Sequence, residues 1–484
     1  MQNVISLLWG KYKKIPIQAK LTIWTFFGMC MQKAIAIITV PIFTRIMSTE
    51  QYGQFSVYMS WMNIFYIITS FRLYAGVYNK GFSKYRNDRA GFTLSMQYTT
   101  TIITIIVFAI YLIFHKQINA MTELPTFVMV LMFAELLVTP SVPFWTVSQR
   151  YEFKYKSVLL ATLILAISNP CIGIIAVLST DNKGIARITS EAAVQVVFGL
   201  VFYLINLFKG KFKFKVEYAL YAVKFNIPLI PHYFSEYILN QSDRIMIQKL
   251  VGLSEAGIYA VAYSAGMLLT IVSSSINQAL VPWLYQQLDE KKYEGIQKII
   301  VSLGFMILVP ISMFMALSPE IVSVLAGPEY HEAVRVIAPI TSSIVFMFLF
   351  ILFANIELYY DNNKFTMYIS MIGAILNIVL NYIFINLLGF WAAGFTTFFC
   401  YGVYCIGHYA FMEHIFFKNE GRHLIKSKWI IFITSILTGV MILFYNLNDY
   451  AIIRFTLLGA SFVAAFVMRD KIISVYSNVL KKKK

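Results

Sequence analysis

Residues Phe225 to Tyr263 read FNIPLIPHYFSEYILNQSDRIMIQKLVGLSEAGIYAVAY. The segment is long enough to cross a bilayer, yet His232, Glu236, Asn240 and Asp243 recur at steps of four, four and three, which stacks them on one helix face. A charged group facing hydrocarbon near mid-helix costs roughly 2.5–3.5 kcal/mol, so this face is expected to line a bundle interior or a wet cavity. Pro228 and Pro231 lie one turn upstream, and their missing amide donors are expected to bend or break the helix. A polar, bent span in an apolar chain implies a path for a polar cargo. The alternative is a buried polar network that only holds helices together.

The surrounding chain fits that setting. Of 484 residues, 59% are hydrophobic and 13% charged, and the mean hydropathy is +0.68. These values exclude an ordinary soluble globule. Apolar runs near the ~20 residues that span hydrocarbon follow one another at 21–44, 54–74, 92–114, 125–147, 157–179, 185–208, 224–250, 257–285, 299–317, 337–359, 365–386, 391–415, 429–446 and 450–468. The expected class is an all-α polytopic membrane protein of about fourteen helices. Cys30, Cys171, Cys400 and Cys405 all fall inside these runs with no CxxC pair, and read as small core residues. The short apolar run VISLLWG precedes Lys11, Lys13 and Lys14 rather than a small-residue cleavage site, so no removable signal peptide is expected.

The net charge of +17 follows the same topology. With both termini cytoplasmic, 30 of the 40 Lys and Arg residues fall in inner segments, including Lys80–Arg89, Arg150–Lys156, Lys209–Lys224, Lys418–Lys428 and the terminal KKKK. The KGKFKFK segment from Lys209 to Lys215 is read as a linker on anionic headgroups, and no nucleic-acid partner is expected. An internal repeat, E-x(1-2)-G-x-[FY]-x-V, occurs at Glu50–Val57 and again at Glu255–Val261. Six expected spans separate the copies, so two parallel halves follow: 1–208, a linker at 209–223, a second six-helix half at 224–415, and an added helix pair with a basic tail at 416–484. That last pair reads as lipid-facing.

The stretch from Asn240 to Tyr263, with Ile276–Pro282, AGPEYHEA at Ala326–Ala333 and LLGFWAAGF at Leu387–Phe395, resembles the polysaccharide flippases of the multidrug/oligosaccharidyl-lipid/polysaccharide exporter superfamily. The resemblance implies paired six-helix bundles around a central cavity that opens alternately to each side. It also implies an undecaprenyl-pyrophosphate-linked oligosaccharide as substrate, the bacterial cytoplasmic membrane as location, other polysaccharide assembly proteins as further partners, and a monomer.

An anionic pyrophosphate crossing a dry interior needs cationic groups. The candidates are Lys33, Arg72, Arg187 and Arg244. Lys33 lies about twelve residues into its span, hence near the midplane at about 1.5 Å per residue; its alternative role is pairing with a buried carboxylate. Arg72 and Arg187 sit near span ends, where snorkelling is the alternative; for Arg244 it is pairing with Asp243. Polar candidates for the cavity and for coupling are Glu135, Glu191, His232, Glu236, Asn240 and Asp243, because buried carboxylates can carry protons. Glu357, near the inner end of its span, is expected to be hydrated. No cofactor, metal site or catalytic residue is expected; the coupling ion, H+ or Na+, is left open. Two readings of other classes compete: a cation-coupled multidrug antiporter, which would be expected to bind its cargo on carboxylates, and a membrane enzyme, for which no HExxH, GxSxG or carboxylate-rich motif is present. A lipid II flippase is the nearer alternative.

Overall fold

The computed structural model describes residues 17–360 and 364–467. Lys11, Lys13, Lys14, Arg469, Lys471 and the terminal lysines, which carry part of the charge asymmetry, lie outside the described residues. Helices with short connections make up the fold, and no strand occurs among the described residues. In chain order they are α1 (Ile17–Ile46), α2 (Thr49–Ser70), α3 (Gly76–Lys84), α4 (Arg89–Ile113), α5 (His115–Thr122), α6 (Thr126–Val138), α7 (Ser141–Tyr151), α8 (Tyr155–Leu178), α9 (Lys183–Lys209) and α10 (Val216–Asn226). They continue as α11 (Ile230–Leu250), α12 (Leu253–Met267), α13 (Thr270–Asp289), α14 (Tyr293–Ala316), α15 (Ser318–Leu325), α16 (Val334–Tyr359), α17 (Lys364–Leu388), α18 (Ala392–Glu420), α19 (Ser427–Asn446) and α20 (Ala451–Val467).

Among the described residues, nine helical stretches are long and apolar enough to cross a membrane. Large apolar side chains stay exposed along them, as with Leu160, Ile164, Ile167 and Ile175 on α8 and Ile372, Ile375 and Val379 on α17. Such faces suit the hydrocarbon of a membrane. Capping follows local rules: the Asp88 side chain accepts from the Gly91 amide at 3.1 Å to start α4, and Gly421, at φ 68°, ends α18.

Three expected spans are interrupted. Residues 125–147 divide into α6 and α7 at Thr139-Pro140, where proline cannot donate to the preceding turn. The Pro228 and Pro231 region passes from α10 through a 3-10 turn, Ile227–Leu229, into α11, as the prolines required. The third break, between α12 and α13, tightens into i→i+3 bonds at Leu268 and Leu269 and has no proline to announce it.

The chain forms two compact units. The first holds the described residues up to Met47 and Tyr58–Ile230; the second holds Ser48–Val57 and the described residues from Pro231 onward. In the first, Tyr78, Phe92, Phe144 and Tyr218 form an aromatic core joining α3, α4, α7 and α10. In the second, α14, α16, α18 and α19 enclose the larger core. The helix pair expected to face lipid is anchored on one side: α19 buries Ile430, Ile433, Leu437, Met441 and Phe444. Arg454 of α20, 3% exposed, donates to the Ala316 carbonyl and forms two hydrogen bonds with Glu320, at 2.8 and 2.9 Å.

The two copies of the repeat lie against each other within the second unit. A Cβ on Gly53 would collide with the Leu253 carbonyl, and one on Gly257 with the Thr49 carbonyl. The hydroxyls of Thr49 and Ser254 are 2.7 Å apart beside this contact. Glycine is therefore required at both positions by a backbone-to-backbone approach.

Candidate functional site

In the second unit the polar stripe of α11 is knit to its neighbours, each member differently. His232 Nδ1 lies 2.9 Å from the Ser370 hydroxyl on α17, which is 2.6 Å from the Tyr404 hydroxyl on α18. Glu236 is exposed, and its carbonyl accepts from the Asn240 amide at 2.6 Å. Asn240 Oδ1 accepts from the hydroxyls of Tyr263 and Tyr401 at 2.9 and 3.0 Å.

Asp243, 1% exposed, accepts three hydrogen bonds: from Tyr259 at 2.5 Å, Asn381 at 2.6 Å and Thr397 at 2.9 Å. Thr396 donates in turn to Asn381, and Ser242 to Asn377. The Tyr259 donor occupies the aromatic position of the repeat; the first copy has Phe55 there and lacks the hydroxyl. Arg244 does not bridge to Asp243. It donates to Gln241 at 2.6 Å and stacks over the Tyr263 ring at 4.6 Å. Asn240 and Asp243 are thus tied into hydrogen-bond networks with neighbouring helices, while Glu236 keeps an exposed position on the same helix.

The first unit has its own buried centre. Arg187, 7% exposed, pairs with Glu191 at 2.9 Å, donates to Asn169 at 2.9 Å and stacks on Phe43 at 4.5 Å. The snorkelling alternative for Arg187 is thereby overturned: a carboxylate one turn along α9 holds the guanidinium inside. Gln195 donates to Glu191 at 3.2 Å. Glu135, 3% exposed, accepts from Tyr58 at 3.0 Å and forms no ion pair with a described residue. Arg72 stands half-buried in the turn after α2, where it and Phe71 take left-handed φ values of 50° and 47°. Such conformations cost of order 1–2 kcal/mol per residue outside glycine. The Asn226 amide holds the turn by donating to the Phe71 carbonyl at 2.8 Å.

Lys33 is exposed on α1 and makes no hydrogen bond or ion pair with any other described residue. The expected alternative, a buried carboxylate partner, is not seen. Glu357 corrects the sequence reading in the opposite sense. It is fully buried, 2.8 Å from His408 Nδ1, whose other ring nitrogen has no partner among the described residues. His408 escaped sequence reasoning because a single histidine in an apolar run has no periodic companion; Asn381, Thr397 and Tyr401 escaped because their relation to α11 is purely tertiary.

Each of the two units thus buries charged groups among apolar helices, nine stretches of which are long enough to cross a membrane among the described residues. The structure is similar to a lipid II flippase, MurJ, in an inward closed conformation, with a TM-score of 0.67 at 13% identity, covering 94% of this chain and 100% of that one. It is also similar to an inward-facing multidrug resistance MATE family transporter of the MOP superfamily, at 0.61 and 13% identity, covering 79% and 94%. A MOP superfamily transporter from Pyrococcus furiosus matches at 0.57 and 13% identity, covering 84% and 96%.

The model of the polysaccharide biosynthesis protein family matches residues 19–286, and the MatE model matches 228–383. The chain belongs to the polysaccharide biosynthesis protein family. A Haemophilus influenzae protein of the Lsg locus is 25% identical over 361 residues, 72% of this chain and 86% of its own length. A membrane protein of Methanocaldococcus jannaschii is 26% identical over 260 residues, 50% of this chain and 49% of its own.

Proposed function

We propose that the protein moves undecaprenyl-pyrophosphate-linked oligosaccharide units from the cytoplasmic to the outer leaflet of a bacterial cytoplasmic membrane by alternating access. The observation that carries this reading is Lys33, a cation exposed within an apolar helix and paired with no carboxylate among the described residues. A cation held there has a solvation cost that an anionic cargo offsets. A multidrug antiporter for cationic cargo calls for the reverse, an acidic group, and α1 has none between Ile17 and Ile46. Family membership supports the saccharide part.

In this reading both termini are cytoplasmic, which the basic loops support, and a monomer acts alone or beside other assembly proteins. Ion coupling is assigned to two carboxylates: Glu135, held by one phenol and paired with no cation among the described residues, is suited to carrying a proton, and exposed Glu236 is suited to exchanging one with water. The same architecture in a lipid II flippase makes lipid II the second reading. Reconstitution into proteoliposomes decides between them. Translocation of a labelled undecaprenyl-pyrophosphate oligosaccharide, without efflux of small organic cations, is expected; cation efflux alone sinks the proposal, and preference for lipid II replaces the substrate.

A further inference from the structure

A cavity of about 380 Å³ lies wholly within the first unit, among α1, α7, α8 and α9. Gln32, Thr146, Arg150 and Thr162 all line it, and Tyr74 closes one side. Thr146 and Arg150 are four residues apart and so share a face of α7. The side chains of Gln32, Thr146, Arg150 and Thr162 make no hydrogen bond or ion pair with another described residue.

Their surroundings behave differently. Thr139, Ser141 and Ser148 each return a hydroxyl to a nearby carbonyl, and Arg187 is compensated by Glu191. Glu152, the carboxylate nearest Arg150 in sequence, is occupied by Lys154 at 2.6 Å. One uncompensated guanidinium and three neutral groups with hydrogens to donate thus converge on one space. Such groups on one cavity suit an anion, and the planar guanidinium fork matches phosphoryl oxygens two at a time.

We propose that this cavity is a docking subsite for the pyrophosphate of the lipid-linked substrate, with Arg150 gripping phosphoryl oxygens and Gln32, Thr146 and Thr162 completing the shell. The proposal rests on the function proposed above. In the orientation given there, Arg150 stands at the cytoplasmic end of its span, where the substrate is loaded. Phosphoryl anions are also carried by bulk phospholipids, so the test must separate the two sources.

Lipid binding to the purified full-length chain is measured by native mass spectrometry with undecaprenyl pyrophosphate and, separately, phosphatidylglycerol. Arg150→Gln, Arg150→Lys and the double variant Thr146→Val with Thr162→Val are compared with wild type, each checked for an unchanged melting temperature. The expected result is preference for the pyrophosphate lipid, weakened about tenfold or more by Arg150→Gln and less by Arg150→Lys, which keeps charge but loses the fork. The double variant is expected to weaken it about threefold through lost neutral hydrogen bonds. Should Arg150→Gln melt early, Arg150→Lys and the double variant carry the decision.

Wild-type affinity in every folded variant overturns the subsite, as does equal binding of phosphatidylglycerol with equal loss in Arg150→Gln. Unweakened binding together with retained translocation removes the subsite and leaves the flippase. Arg150-dependent binding without any translocation of lipid-linked sugar does the reverse.

Discussion

In the first unit, Arg187 and Glu191 neutralise each other at 2.9 Å while Glu135 leans on a single phenol; in the second, Asp243 forms no ion pair with a described residue and is held by three neutral donors. One centre balances charge with charge, the other spreads it over hydrogen bonds. An ion pair in low dielectric fails when either member is lost, whereas a carboxylate with three donors degrades stepwise. The first unit's centre is therefore the more brittle, and within it Glu135 is the member with the least support.

Breaking that contrast starts with Glu191→Ala, which strands the Arg187 guanidinium in the first unit. A loss of about 3–5 kcal/mol is expected, read as a large drop in melting temperature in detergent; a drop no larger than that of Asn169→Ala would mean that the pair is not the support described. The repeat contact comes next. Gly257→Val drives a side chain into the Thr49 carbonyl, with an expected cost of about 1–3 kcal/mol from overpacking, whereas Gly439→Val on α19, a glycine whose Cβ would meet nothing, should leave the melt nearly unchanged.

The two phenols sharpen the comparison further. Tyr58→Phe removes the one side-chain donor seen on Glu135, and about 1–3 kcal/mol is expected to be lost. Tyr259→Phe takes one donor of three from Asp243, for about 1 kcal/mol. Equal losses would remove the distinction between the centres.

The smallest effect lies outside both. The Arg454 guanidinium holds the Glu320 carboxyl below the usual carboxylate range. A depressed value means that this pair stabilises the fold above the unfolded carboxylate pKa of about 4.3, and that the contribution disappears as pH falls through the lower folded value. Glu320 is 40% exposed, so less than about 1 kcal/mol is involved. Glu320→Gln is expected to lower the melt slightly at pH 7, with the difference shrinking as pH falls below the usual carboxylate range; a difference that does not change with pH would trace the effect to packing instead.

Much of the fold could be read from the chain because hydrophobic length and basic loops report directly on membrane solvation. The α11 stripe and its prolines were legible for the same reason, as polar groups on an apolar helix are costly enough to be deliberate. The break between α12 and α13 was not, since Leu268 and Leu269 are ordinary helix formers. Arg187, Arg244 and Glu357 were visible as charges, yet whether each is compensated depends on a partner that only folding supplies. By its spacing Arg150 is one more loop cation; that it has no side-chain partner among the described residues is a property of the cavity. Likewise the glycines of the repeat marked two equivalent positions, but their mutual contact required three dimensions.

The central claim is that an uncompensated cation on α1 serves an anionic lipid-linked cargo. It is tested most directly by translocation of labelled undecaprenyl-pyrophosphate oligosaccharide in proteoliposomes carrying wild type, Lys33→Arg or Lys33→Ala at matched protein levels and matched melting temperatures. Transport lost by about tenfold or more in Lys33→Ala and largely kept in Lys33→Arg is the expected result. Full transport by folded Lys33→Ala would contradict it.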